Sequence, residues 1–229
     1  CFCLYLRSSA FSRFKSLAID RPVNYTLRMS TTNDTRERII EAAKSRFHNR
    51  SYADVGIKEI CDMASIQKGS FYHFFPSKRD LVLAVIDEFA EDWANGFVAE
   101  AFDPALPPME RIDYVIDAAF FWQKSSKELN GHIPGCLFGN LALEISTQDD
   151  VLRAKLNAVF TSAKDRFKET LDEAIELGAI SPLDSELTAE AMLAYLEGMI
   201  LFAKAENDPE VIYRLGPALK TIRIESSAH

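Results

Sequence analysis

The sequence predicts an all-α protein, and three observations carry that prediction. From Asn33 onward apolar residues recur every three or four positions along almost the whole chain, which is the spacing of amphipathic helices. Alternating apolar and polar runs, the mark of half-buried strands, are scarce. The breaks between periodic stretches carry helix stops and starts: Pro76, the prolines at 104, 107 and 108, Gly178, and the pair Asp208-Pro209.

Taken in order, the first helix opens with Asp34 and Glu37 at capping-box spacing, places Ile39 or Ile40, Ala43 and Phe47 on one face, and ends near Asn49. A short second helix is predicted from about Gly56 to Met63, then the turn Ala64-Ser65-Ile66, then a compact third helix from Gln67 to Phe74 or Phe75 that Pro76 stops. Ser77, with Asp80 three residues on, caps a long fourth helix whose buried stripe is Val82, Val85 or Ile86, Phe89 and Trp93. Three prolines in residues 102–108 mark a linker. Further helices are predicted near 109–128, 134–145, 149–177, 184–206 and 209–223. The domain reading is a unit over 29–80 and a second over 81–229, with Met29 as the natural start and residues 1–28 as a non-native or disordered extension.

Apolar residues make up 48% and charged residues 26% of the 229, the mix of a folded globular chain. The net charge of −8 argues against a protein that coats nucleic acid indiscriminately. The charge is unevenly spread: +4 over residues 1–28, +2 over 29–80 and −14 over 81–229. A polyanion would meet the front third and be repelled by the rest. Cys1, Cys3, Cys61 and Cys136 show no zinc-like pairing, and the histidines at 48, 73, 132 and 229 form no cluster, so no metal and no cofactor is expected. A reduced, cytoplasmic setting follows, and no run is apolar enough to span a bilayer.

Two short helices joined by a three- or four-residue turn are the minimum for seating one helix in a major groove about 12 Å wide. With Phe71, Phe74 and Phe75 inward, a 100° step per residue turns Gly69, Ser70, Tyr72 and His73 outward, with Gln67 and Lys68 at the N-terminal tip. Tyr72, His73 and Lys78 suit phosphate oxygens; Gln67, Lys68 and Ser70 suit base edges or nearby phosphates, and Gly69 permits close approach of the backbone. Lys58, on the second helix, joins this candidate set.

The stretch Thr35-Arg-Glu-Arg-Ile-Ile-Glu-Ala-Ala43 with Phe47, then Ile57-Lys-Glu-Ile60, and above all Lys68-Gly-Ser-Phe-Tyr-His-Phe-Phe-Pro-Ser-Lys78 with Leu81, resembles the TetR family of regulators. The resemblance covers roughly residues 34–81. It implies an N-terminal helix-turn-helix DNA-binding domain and a C-terminal helical ligand-binding and dimerisation domain. It also implies a homodimer on a palindromic double-stranded DNA operator, released by a small-molecule effector. Three positions depart from the family pattern: Gly56 in place of a Ser or Thr cap, Cys61 in place of alanine, and Ser65 in place of the turn glycine, where it must adopt an unfavourable backbone conformation.

In the acidic remainder, residues 191–205 are apolar on nearly every side, with charge only at Glu197 and Lys204, so this helix must be buried all round. The face with Met192, Leu196, Met199, Ile200 and Ala203, joined by Leu215, is the expected dimer interface. Phe120, Trp122, His132, Phe138 and Asn140 are the candidates for an effector pocket, a mix that equally suits a plain core. In Ile133-Pro-Gly-Cys-Leu137, Pro134 is read as a helix start that places the Cys136 thiol in a first turn, where the helix dipole lowers its pKa. A similar Gly-Cys-Leu element occurs in a subset of the family, some of which respond to electrophiles or oxidants. Two readings of Cys136 stand open, a thiol sensor and a small buried core residue. A nucleophile pair of Cys136 with His132 lacks a third orienting group and an oxyanion loop, so no enzymatic chemistry is expected.

Overall fold

The computed structural model describes residues 35–226, all helix, turn and loop with no strand among them. The Asp34 cap and the 1–28 extension lie outside the described residues. Helices α1 (Thr35–Asn49), α2 (Ile57–Met63) and α3 (Lys68–Phe74) form a small headpiece. Helix α4 (Lys78–Trp93) leaves it, capped as expected by Ser77, whose Oγ accepts from the Asp80 amide at 3.2 Å. The rod runs on through a π-helical stretch, Ala94–Val98, and a last turn, Ala99–Ala101. The proline linker is pinned by the buried Arg111 guanidinium, which donates to the carbonyls of Leu106 and Pro104 and to the Glu173 carboxylate.

Five further helices follow: α5 (Pro108–Asn130), α6 (Leu137–Ile145), α7 (Asp150–Glu176), α8 (Ser185–Glu206) and α9 (Glu210–Leu219). Asp149 and Asp184 cap α7 and α8, and the expected stop at Gly178 has φ +68°. Two expected boundaries move. Helix α6 begins at Leu137, because residues 133–136 form an extended loop with Gly135 at φ +83°. Helix α9 ends at Leu219 and not near 223.

Two hydrophobic cores result. The first joins Ile39, Phe47, Phe71 and Leu81 of the headpiece to Phe138, Leu141 and Ile145 of α6 and to Leu152 and Leu156 of α7. The second holds α5, α8 and α9 together through residues such as Ile112, Phe120, Met192, Met199 and Val211. The first core therefore runs straight across the expected boundary at residue 80, so the headpiece is packed on α6 and α7 as tightly as on itself. Trp93 packs on the first core, whereas Phe97 and Phe102, beyond the π-helical stretch, pack on the second.

Candidate functional site

The turn between α2 and α3 is built as its sequence demands. Ser65 takes φ +54°, and the Ile66 amide donates back to the Cys61 carbonyl at 3.0 Å. Arg38 clamps the same turn by donating to the Ala64 carbonyl at 3.0 Å. Behind α3, Phe71 and Phe75 are buried and Phe74 is half-buried. Gln67, Lys68, Gly69, Ser70, Tyr72 and His73 are all exposed, and Lys58 is exposed on α2. A Cβ added at Gly69 meets nothing within 4 Å, so the space in front of it is open. Gln67 starts the helix in extended conformation without using its side chain as a cap, which leaves the amide group available for an external partner.

Lys78 departs from the expectation. Its ammonium donates to the Tyr52 carbonyl and lies 4.1 Å from the Tyr52 ring centroid, directed inward and away from the outer face of α3. Burial holds its pKa below the usual lysine value against the opposing charges of Glu144 and Asp54. It braces the loop from α1 to α2.

That loop is also held from the other side of the molecule. Glu144 on α6 accepts from the Tyr52 amide at 2.8 Å, the Ala53 amide at 2.6 Å and the Ser51 hydroxyl. Burial pushes its pKa up, but these donors and the Lys78 charge outweigh it and hold the carboxyl below the ordinary value. A second contact lies at the end of α1. His48 stacks on Trp122 with centroids 5.9 Å apart, meets Phe89 edge-on at 5.7 Å, and its Nε2 lies 3.2 Å from the Gly135 carbonyl. Burial lowers the His48 pKa, partly offset by that carbonyl, and the charges of Lys204 and His132 lower it further. Phe138 completes the junction by meeting Phe89 and Trp93 of α4 edge-on.

The expected pocket residues do not converge. Phe120 lies in the second core, stacked on Tyr213 with centroids 3.9 Å apart. Trp122 and Phe138 belong to the junction with the headpiece. Asn140 and the exposed His132 line an open cleft of about 290 Å³ together with His48, Leu143, Glu144 and Lys204.

Cys136 is not an activated thiol. It is the residue before the first turn of α6, where its Sγ accepts from the Gly139 amide at 3.4 Å. Burial pushes the thiol well up, and the carboxylate of Glu197, to which it is hydrogen-bonded, pushes it further. The expected dipole effect is present in geometry and loses to desolvation. His132 instead bonds its own loop, with Nδ1 3.0 Å from the Asn130 carbonyl.

The expected dimer face also differs. Met192, Leu196, Met199, Ile200 and Ala203 are buried in the protomer's own second core, and Leu215 is half-buried against it. The opposite face of α8 carries Ala194, Leu201, Phe202 and Ala205, all exposed, with Leu201 and Phe202 at 55% and 57%.

Sequence reasoning passed over His48, whose position at a helix end carries no chemical signal. For Glu197 and Lys204 the signal was present, since they are the charges that interrupt an otherwise apolar helix. Among the described residues no group of three His, Cys, Asp or Glu could hold a metal, and no helix is long and apolar enough to cross a membrane.

Comparison with known proteins agrees with this geometry. Residues 39–85 match the family described as bacterial regulatory proteins, tetR family, and residues 108–219 match the tetracyclin repressor-like C-terminal domain. The HTH-type transcriptional repressor DhaR of Mycobacterium sp. strain GP1 is 30% identical over 76% of this chain and 85% of its own length. The transcriptional regulator AcuR of Cereibacter sphaeroides is 32% identical over 76% and 78%. A crystal structure of regulatory protein TetR from Rhodobacter sphaeroides superposes with a TM-score of 0.73 at 30% identity, covering 83% of this chain and 99% of that one.

Proposed function

Because the chain belongs to the TetR family of bacterial transcriptional regulators, we propose that it is a repressor that binds a palindromic operator as a homodimer and lets go when a small molecule binds its helical domain. The observation that carries this reading is the exposed face of α3, where six consecutive or near-consecutive small and hydrogen-bonding side chains stand in front of buried phenylalanines. Lys68, Tyr72 and His73 bond phosphates, while Gln67 and Ser70 reach base edges. Lys58 adds a phosphate contact from α2.

The two copies meet through the outer face of α8, where Leu201 and Phe202 stand among alanines. Apolar side chains this exposed, side by side on one helix, favour a partner surface. A twofold dimer places its two α3 helices on half-sites about 34–36 Å apart. Effector binding reaches the headpiece through α6, because Glu144 and Phe138 tie that helix to the α1–α2 loop and to α4. The setting of this activity is the cytoplasm, where operator DNA is found.

The reading is tested by titrating the full-length protein against an operator duplex selected from a random library, at several salt concentrations. Six to ten phosphate contacts lower affinity by about 10³–10⁵ between 50 and 200 mM salt. Binding that ignores salt would overturn it.

A further inference from the structure

The cleft between the end of α1, the 131–135 loop, α6 and α8 gathers basic groups without a matching acid. Lys204 Nζ donates to a neutral oxygen, Asn140 Oδ1 at 2.8 Å, and among the described residues it belongs to no ion pair. His48 and His132 line the same cleft. Arg50, at its edge, is already paired with Glu59 at 2.9 Å. The one carboxylate present, Glu144, has both oxygens committed to the 51–53 loop.

The ammonium is seated by design of the backbone. At Gly135, φ is +83°, and a Cβ there would stand 2.9 Å from Lys204 Cδ, so only glycine lets the lysine stem lie across the loop. Asn140 is fixed in turn, its Nδ2 donating to the Pro134 carbonyl at 2.9 Å. The walls are apolar where these groups are not: Ile133 and Pro134 lie beneath, and Leu143 stands at the rim 81% exposed, which nothing in the protomer accounts for. The volume, about 290 Å³, is at the small end of ligand sites.

We propose that this cleft binds a small organic carboxylate carrying a short apolar tail, its head on Lys204 and the histidines and its tail against Leu143, Pro134 and Ile133. The inference rests on the reading of the chain as an effector-released repressor, and names the effector's chemical class. The head group would sit between His48 on α1 and Asn140 on α6, the two elements whose mutual position sets the headpiece.

The test is calorimetric titration of the full-length protein, without DNA, with butyrate, acetate and inorganic phosphate. Butyrate should bind more tightly than either of the others. Lys204→Met, which keeps the stem on Gly135 and removes the charge, should weaken butyrate at least tenfold, and Lys204→Arg should restore binding to within a few-fold. Operator affinity without ligand should be the same in all three proteins, which shows that they are folded, and butyrate should lower it in the parent protein only where it binds. Absence of binding at millimolar butyrate, equal binding by Lys204→Met, phosphate binding as well as butyrate, or binding that leaves operator affinity unchanged would each overturn the proposal. If no operator is bound at all, it is the repressor reading that fails, while the titration without DNA still judges the cleft.

Discussion

The carboxylate of Glu144 holds the backbone amide of Tyr52 at 2.8 Å across 92 residues of chain, so a side chain of the sixth helix supports the loop that orients the second. Glu144→Ala leaves the Tyr52 and Ala53 amides and the Ser51 hydroxyl without their acceptor and should cost about 1–3 kcal/mol, the upper part of the range being tempered by partial exposure. Urea unfolding measures it. The folded pKa of this carboxyl lies below its ordinary 4.5, so its stabilisation is complete above that value and is lost as pH falls through the folded value. Glu144→Gln should flatten this acid limb of the stability profile. An unchanged limb would assign it to other carboxylates.

Gly69 separates folding from DNA binding. A methyl group there meets nothing within 4 Å, and alanine is the better helix former by about 1 kcal/mol. Gly69→Ala should therefore raise the thermal midpoint and lower operator affinity. Equal affinity would show that DNA does not approach α3 at this point.

The Cys136 thiol should be slow to alkylate at neutral pH. Burial and Glu197 both favour its protonated form, and the thiolate is the nucleophile. Iodoacetamide labelling mapped by mass spectrometry should find Cys136 modified only as the protein unfolds, and electrophiles should not release operator through it. Rapid modification in the native protein would restore the sensor reading.

Phe202→Glu places a charge on the exposed face of α8 without touching either core. It should leave the helical content intact, shift sedimentation toward the monomer, and weaken operator binding because the two half-sites are no longer held by one particle. A variant that stays dimeric would move the interface elsewhere.

Much of this was legible in the sequence because it depends on local rules. The inward Phe71 and Phe75, the outward face of α3, the Ser77 cap and the strained Ser65 all follow from spacing within a few residues. The dimer face was not legible, because a helix that is apolar all round does not say which side its own chain covers; Met199 turned inward and Phe202 outward. Cys136 shows how small the margin is. It has the helix-start geometry expected of it, but a buried acid from α8, 61 residues away, reverses its chemistry. Glu144 and Lys78 meet the same loop from opposite ends of the chain, and no window of sequence contains both with their shared target.

The π-helical stretch at Ala94–Val98 accommodates one residue more than an α-helix would in the same rise, with the Ala99 amide donating to the Ala94 carbonyl five residues back. Trp93 before it and Phe97 after it thereby serve different cores along one rod. Length, and not composition, is the sensitive variable here. Removing a single residue between 94 and 98 would restore α-helical pitch and swing Phe97 and Phe102 by about 100° relative to the headpiece, whereas exchanging the half-buried side chains of the stretch would leave both cores in register. In this segment the gene should tolerate substitutions and reject in-frame deletions.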